Sequence, residues 1–175
     1  MDSKQNHLPI YGVGPLYVGV IAVLTLAAVL LRHLAVFSSG KLAGLDAVLK
    51  LFGLAFIAAG IALWIYAVPV SKIDDGIREN RLVTTGAYAL VRNPIYSAAM
   101  IACTGVIFLV GNLWFFALPF LYWLFMTVLM RATEEKWLKK QYGKEYGDYC
   151  ARVNRCWPWF PRRHRESSPG TQNGL

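Results

Sequence analysis

Long uncharged stretches alternate with short polar segments along this chain. Residues 8–31 and 51–70 carry no charged side chain. Each stretch reaches or exceeds the roughly 20 residues that a helix needs to cross a bilayer. We therefore predict two membrane-spanning helices in these regions.

A third uncharged stretch, residues 93–130, is too long for one ordinary span. Gly111 and Asn112, both turn-forming residues, lie near its middle. We predict a tight helical hairpin with arms at residues 94–110 and 113–130, and Pro119 is a candidate for a kink in the second arm. The pattern thus indicates an all-α polytopic membrane protein with about four spans, followed by a cytoplasmic helical segment.

Composition agrees with this assignment, because 56% of the residues are hydrophobic and only 16% are charged. We expect one integral-membrane domain at residues 1–161. The first span should be a retained anchor, since no clearly basic leader precedes it and its apolar run is long. Residues 162–175, rich in Arg, Ser, Pro and Gly, are predicted to be a disordered tail.

The basic residues are unevenly divided between the two predicted membrane faces. Fifteen of the 18 lysines and arginines fall on the face that holds both termini, and Arg32, Lys41 and Lys50 fall on the other. Because basic loops remain cytoplasmic, we expect both termini in the cytoplasm. The net charge of +8 then reports topology and attraction to anionic lipids rather than nucleic-acid binding.

Metal and dinucleotide sites are not indicated. Cys103 lies in a span, whereas Cys150 and Cys156 have a spacing that fits no common zinc pattern, and the three histidines are scattered. The Gly12-Val13-Gly14 segment follows no predicted strand, which excludes a Rossmann phosphate loop.

One polar cluster, at residues 86–96, stands at the entrance to the third span. Pro94 suits the opening turn of a helix, and Asn93 before it is a candidate N-cap. Arg92 adds a positive charge beside the backbone N–H groups of the helix start, a combination suited to a carboxylate or phosphate. The alternative is that Arg92 and Tyr96 only anchor the helix at the interface.

A second cluster begins where the last span ends. Its members have the spacing of one face of a helix that continues out of the membrane; they are Arg131, Glu134, Glu135, Leu138 and Tyr142. Adjacent carboxylates at a membrane surface are costly unless paired or solvated. Glu135 and Lys139 could form an ordinary surface pair. Glu134 has no such lysine, which favours a functional carboxylate that meets an ammonium or a ribose hydroxyl.

The predicted topology brings both clusters to the same membrane face. A ligand with a carboxylate, an ammonium and a nucleoside would suit them together, and S-adenosylmethionine is such a molecule. Two sequence motifs, separated by the predicted hairpin, carry a family resemblance: GAYALVRNPIY from Gly86 and EEKWLKKQYGKEYGDYCARVNRCWP from Glu134. Over about residues 82–161 the chain resembles the isoprenylcysteine carboxyl methyltransferase and phospholipid methyltransferase superfamily.

The resemblance implies an S-adenosylmethionine-dependent membrane methyltransferase without a Rossmann fold. Its cofactor pocket would be closed by the segment after the last span, and a lipid-borne or hydrophobic acceptor would enter from the bilayer. Carried onto this chain, the resemblance assigns Arg131 to the acceptor side, as the catalytic position. It assigns cofactor binding to Tyr88, Arg92, Asn93, Pro94, Tyr96, Glu134 and Glu135. Residues 142–161, with six large aromatic side chains, should be ordered against the membrane face.

This sequence departs from the family pattern at two positions. Asn93 stands where the family usually has histidine, and asparagine cannot titrate. Arg131 lies three residues before the glutamate pair, where we expect about four. With no histidine placed as a base, a carboxylate or thiol acceptor is favoured over an amine. The alternatives are an NADPH-dependent sterol reductase, although such enzymes usually lack the paired glutamates, and a catalytically silent protein on the same scaffold.

Overall fold

A computed structural model describes residues 12–70 and 81–158 as helices joined by short loops. In these ranges β-pairing is limited to two isolated bridges. The α-helices are α1 (Gly14–Leu31), α2 (Asp46–Ile65), α3 (Ala87–Leu90), α4 (Pro94–Val110), α5 (Ala117–Ala132) and α6 (Glu134–Arg152).

In the described part of the chain, three helical segments have the length and composition needed to cross a membrane: Gly14–Leu31, Asp46–Val68 and Leu113–Ala132. The fourth apolar helix, α4, is slightly shorter. The predicted all-α membrane architecture is therefore confirmed. The observed boundaries differ from the predicted ones by a few residues. Helix α2 begins at Asp46 and continues into a short π-helix at Tyr66–Val70, and a 3₁₀ turn at Leu113–Phe116 precedes α5. Residues 8–11 of the predicted first span and the tail at 162–175 lie outside the described residues.

The hairpin between α4 and α5 turns at Gly111, as predicted. Gly111 has φ of 63°, a left-handed conformation that glycine adopts without a side-chain clash. Asn112 Nδ2 then donates to the Phe37 carbonyl at 2.8 Å, and Leu42 N–H donates to the Gly111 carbonyl at 3.1 Å. The hairpin turn and the α1–α2 connection consequently lie at the same end of the bundle.

The core lies between α1, α4 and α5. Its fully buried side chains are Tyr17, Ile21, Met100, Ile107, Tyr122, Met126 and Met130. Three hydroxyl groups within it are satisfied internally, because Thr25 Oγ1 and Tyr122 Oη lie 2.9 Å apart and the Tyr17 hydroxyl donates to the Tyr122 carbonyl. This packing sets the relative position of the helix ends where the two polar clusters lie.

Helix α2 packs against α4 through small residues. A Cβ added at Gly60 would lie 2.8 Å from the backbone of Ala98 and Ala102, and one added at Gly105 would lie 2.6 Å from the Gly53 carbonyl. The helix backbones therefore approach as closely as glycine allows. Most of the remaining surface of α2 is apolar and exposed, as expected of a lipid-facing helix.

The second polar cluster does not lie on one continuous helix, so that prediction is wrong. Helix α5 ends at Ala132, and Thr133 has φ −124° and ψ −88° before α6 begins at Glu134. The Thr133 hydroxyl donates to the Leu129 carbonyl at 2.7 Å, a local bond with which threonine competes with regular helix. Arg131 and the glutamates therefore belong to two different helices.

Candidate functional site

The first polar cluster forms a turn that leads into α4. Gly86 has φ of 61° before the single turn of α3, and residues 91–93 are extended or irregular. Pro94 occupies the first helical turn as predicted, where its missing N–H leaves no bond unmade. Asn93 is at the N-cap position but its side chain does not cap the helix. It donates instead to the Arg155 carbonyl at 3.1 Å.

Arg92, Glu135 and Arg155 form a largely buried ion cluster. The Arg155 side chain donates two hydrogen bonds to the Glu135 carboxylate, from Nε to Oε1 and from Nη2 to Oε2, and Arg92 Nη1 lies 3.2 Å from Oε1. The Glu135 side chain is only 17% exposed. Burial raises the pKa of Glu135, but the bonds from Arg155 and the charge of Arg92 outweigh it and lower the pKa overall. The same bonds raise the pKa of Arg155.

Glu134 has a different set of neighbours. Its Oε1 accepts the Tyr96 hydroxyl at 2.8 Å and the Val13 N–H at 3.0 Å. Both donors are neutral, and the described residues form no ion pair with this carboxylate. Glu134 therefore joins the starts of α1, α4 and α6 while its negative charge stays without a cationic partner in the described part of the chain.

The segment after α6 folds back over the start of α4. Three successive backbone carbonyls of this segment accept hydrogen bonds from residues at the start of α4. The Asn154 carbonyl accepts from the Arg92 N–H, the Arg155 carbonyl accepts from the Asn93 side chain, and the Cys156 carbonyl accepts from Ser97 Oγ at 2.6 Å. The predicted packing of residues 142–161 is seen at this end of the bundle as far as Cys156, which is buried, whereas Trp157 and Pro158 are exposed. Residues 159–161 lie outside the described residues.

Within α6, a glycine allows the chain to turn back toward the site. Gly143 has φ 51° and ψ −117°, which interrupts the helix. Beyond it Tyr146 and Tyr149 are buried together with Val153. The Tyr149 hydroxyl donates to the Tyr88 carbonyl at 2.6 Å, so the Tyr88 backbone helps to hold the second half of α6 in place.

Arg92 has a buried side-chain donor that no described residue accepts from. Its side chain is only 10% exposed, and its Nε is buried without a hydrogen-bond partner among the described residues. An unsatisfied donor on a buried cation is costly, and a bound acceptor would remove that cost.

The structure brings together Arg92, Asn93, Tyr96 and both glutamates, as expected from sequence. Arg131 is exposed at the last turn of α5 and forms no hydrogen bond or ion pair with this cluster among the described residues, but its charge contributes to lowering the pKa of Glu135. Arg155 and the backbone of Val13 were not anticipated as site components. Arg155 could have been suggested by the buried charge of Glu135, but a backbone N–H 121 positions away has no sequence signal.

The family comparison matches the phospholipid methyltransferase model over residues 49–145, more than half of the chain. The chain therefore belongs to the phospholipid methyltransferase family, within the integral-membrane methyltransferase superfamily that includes the isoprenylcysteine carboxyl methyltransferases. The match covers Arg92, Tyr96 and the glutamate pair. No significant match was found among curated proteins or among solved structures.

Proposed function

We propose that the protein transfers a methyl group from S-adenosylmethionine to a lipid-borne or hydrophobic acceptor at the cytoplasmic membrane face. The observation that carries the proposal is the convergence of Arg92, Tyr96, Glu134 and Glu135 at one end of the bundle, inside the matched family region. When bound, the cofactor supplies an electrophilic methyl group on a sulfonium.

The donor set fits this cofactor chemically. The buried Arg92 Nε is suited to the carboxylate of the methionine moiety, since arginine binds carboxylates through directed hydrogen bonds. Glu134, whose described partners are neutral, is suited to the ammonium or to the ribose hydroxyls. The ligand's carboxylate would thus meet the positive charge of Arg92, and its ammonium would meet the negative charge of Glu134.

The two glutamates have different parts in this proposal. Glu135 is already neutralised by Arg92 and Arg155, so it holds Arg92 in position rather than binding a further cation. Glu134 is the carboxylate that binds the ligand. This division agrees with the sequence, in which Glu134 lacks the lysine partner available to Glu135, and is more specific than the family resemblance, which assigned both glutamates to the cofactor.

The acceptor is proposed to approach from the bilayer with its reactive atom near the ends of α1, α4 and α5. Arg131, exposed at the end of α5, is the proposed contact for an acidic acceptor. A carboxylate acceptor is favoured because it is ionised at neutral pH and needs no general base. Orientation and removal of water from the reacting groups then supply the rate enhancement.

Binding of S-adenosylhomocysteine to the detergent-purified protein tests the proposal. We expect Glu134→Gln and Arg92→Lys to weaken binding by about tenfold to a hundredfold, the loss typical of a hydrogen bond to a charged group. Arg92→Lys preserves the charge beside Glu135 but removes the Nε donor. Isothermal titration calorimetry measures the effect.

The matched control is Asp148→Asn, which removes an exposed carboxylate from the same helix as Glu134. It should bind like the wild type. NADPH is titrated in parallel, and binding of NADPH but not of S-adenosylhomocysteine would replace the methyltransferase proposal with a reductase. Wild-type affinity in both Glu134→Gln and Arg92→Lys would refute the site.

A further inference from the structure

The start of α1 lies outside the matched family region, which begins at residue 49. Nevertheless it contacts two side chains of the proposed cofactor site. The contacts come from residues 12–14, the turn before α1 together with the first residue of that helix, here called the amino-terminal loop. Its Val13 N–H donates to Glu134 at 3.0 Å, and Gly14 lies against the ring and hydroxyl of Tyr96.

Both glycines of this loop occupy positions without room for a side chain. A Cβ on Gly12 would lie 2.2 Å from Glu134 Oε1, and a Cβ on Gly14 would lie 2.7 Å from the Tyr96 hydroxyl. Gly12 also has φ of 49°, which favours glycine. Because Oε1 is the far end of a flexible side chain, a methyl group at residue 12 would displace the carboxylate rather than unfold the bundle.

We propose that the amino-terminal loop is a positioning element of the site, in which Gly12 and Val13 fix the Glu134 carboxylate and, through it, the Tyr96 hydroxyl. Val13 N–H directs one lone pair of Oε1, and the absence of a Cβ at residue 12 leaves space for that oxygen. A carboxylate held in this way is oriented toward a ligand cation. This statement about ligand binding rests on the proposed function.

Gly12→Ala tests the inference, with Gly44→Ala as the matched control. Gly44 also has a positive φ, 87°, but a Cβ there would contact nothing within 4 Å, and it lies in the α1–α2 connection at the other end of the bundle. Gly44→Ala therefore places an alanine at a positive φ, as Gly12→Ala does, but at a position that does not contact the site. We expect Gly12→Ala to weaken S-adenosylhomocysteine binding by about tenfold or more and Gly44→Ala to leave it unchanged.

A double-mutant cycle separates positioning from general destabilisation. If Gly12 acts through Glu134, adding Gly12→Ala to Glu134→Ala causes no further loss of affinity. An equal loss in both backgrounds would overturn the inference. So would unchanged affinity in the single variant.

A measurement without cofactor keeps the inference testable if the proposed function fails. Hydrogen exchange of the peptide that contains Val13 should accelerate in both Gly12→Ala and Glu134→Ala, because each removes the acceptor of the Val13 N–H, and should stay slow in Gly44→Ala. Wild-type exchange in Gly12→Ala and Glu134→Ala would overturn the inference. If the wild type does not bind S-adenosylhomocysteine but exchange follows the expected pattern, only the proposed function fails.

Discussion

Arg92 is the residue through which the two polar clusters meet. Its side chain is close to Glu135, its backbone N–H donates to the Asn154 carbonyl at 2.8 Å, and its Nε is buried without a hydrogen-bond partner among the described residues. Sequence reasoning identified Arg92 by its place beside the helix start at Pro94, and the glutamate pair because adjacent carboxylates at the end of a span are costly unless paired or solvated. It could not assign their partners, since Arg155 and Val13 are brought close only by tertiary packing.

At the residue scale, the ion cluster predicts a pH dependence of stability. The pKa of Glu135 is lowered in the folded protein, so the stability it contributes is fully present above the ordinary glutamate pKa of about 4.3 and is lost as the pH falls below that value. We therefore expect the melting temperature of the detergent-purified protein to decrease as the pH is lowered below about 4.3. Thermal unfolding between pH 7 and pH 3 measures it.

Glu135→Gln tests the assignment of that pH dependence. At neutral pH the variant should be less stable by about 1 to 3 kcal/mol, because two buried arginines lose a charged acceptor. The difference from the wild type should shrink as the pH falls below 4. A constant difference across the whole range would contradict the role of Glu135, and Asp148→Asn should show no difference at neutral pH.

At the scale of elements, the spans were predictable and the helix break was not. Uncharged length and the Gly111-Asn112 turn suffice to identify the hairpin. The spacing of Arg131 and the glutamates suggested one continuous helix face, but Thr133 ends α5 with a local hydroxyl bond. The new helix α6 then carries Glu134 and Glu135 in its first turn, where negative charge is favourable.

The contact between α2 and α4 yields a prediction about helix packing. Gly105→Ala should lower the melting temperature, because its Cβ would meet the backbone of Gly53 and Ile57, which cannot move aside cheaply. Overpacking of this kind costs about 1 to 3 kcal/mol and exceeds the gain in helix propensity. Gly19→Ala is the control, since the helical Gly19 has open space around it. Equal melting temperatures for the two variants would show that α2 and α4 are not in close contact.

At the scale of the whole molecule, the contacts determine which loops share an end of the bundle. The bond from Val13 to Glu134 brings the start of α1 to the start of α6, and the bond from Asn112 to Phe37 brings the hairpin turn to the α1–α2 connection. Successive connections along the chain therefore lie at alternate ends of the bundle, which agrees with the four spans predicted from the uncharged stretches. Which end faces the cytoplasm is a separate matter that only the charge distribution addresses.

The charge distribution predicts that the site faces the cytoplasm. In the topology predicted from the sequence, fifteen of the 18 lysines and arginines fall on the face with the site and three on the other. In a variant without the three natural cysteines, Lys41→Cys should react with a membrane-impermeant maleimide added to intact cells that carry the protein in their plasma membrane. Asp148→Cys should react only after the cells are permeabilised. Both positions are exposed, so access to the reagent alone distinguishes them. Labelling of Asp148→Cys in intact cells, with Lys41→Cys protected, would reverse the orientation and remove the site from the compartment in which its proposed cofactor is made.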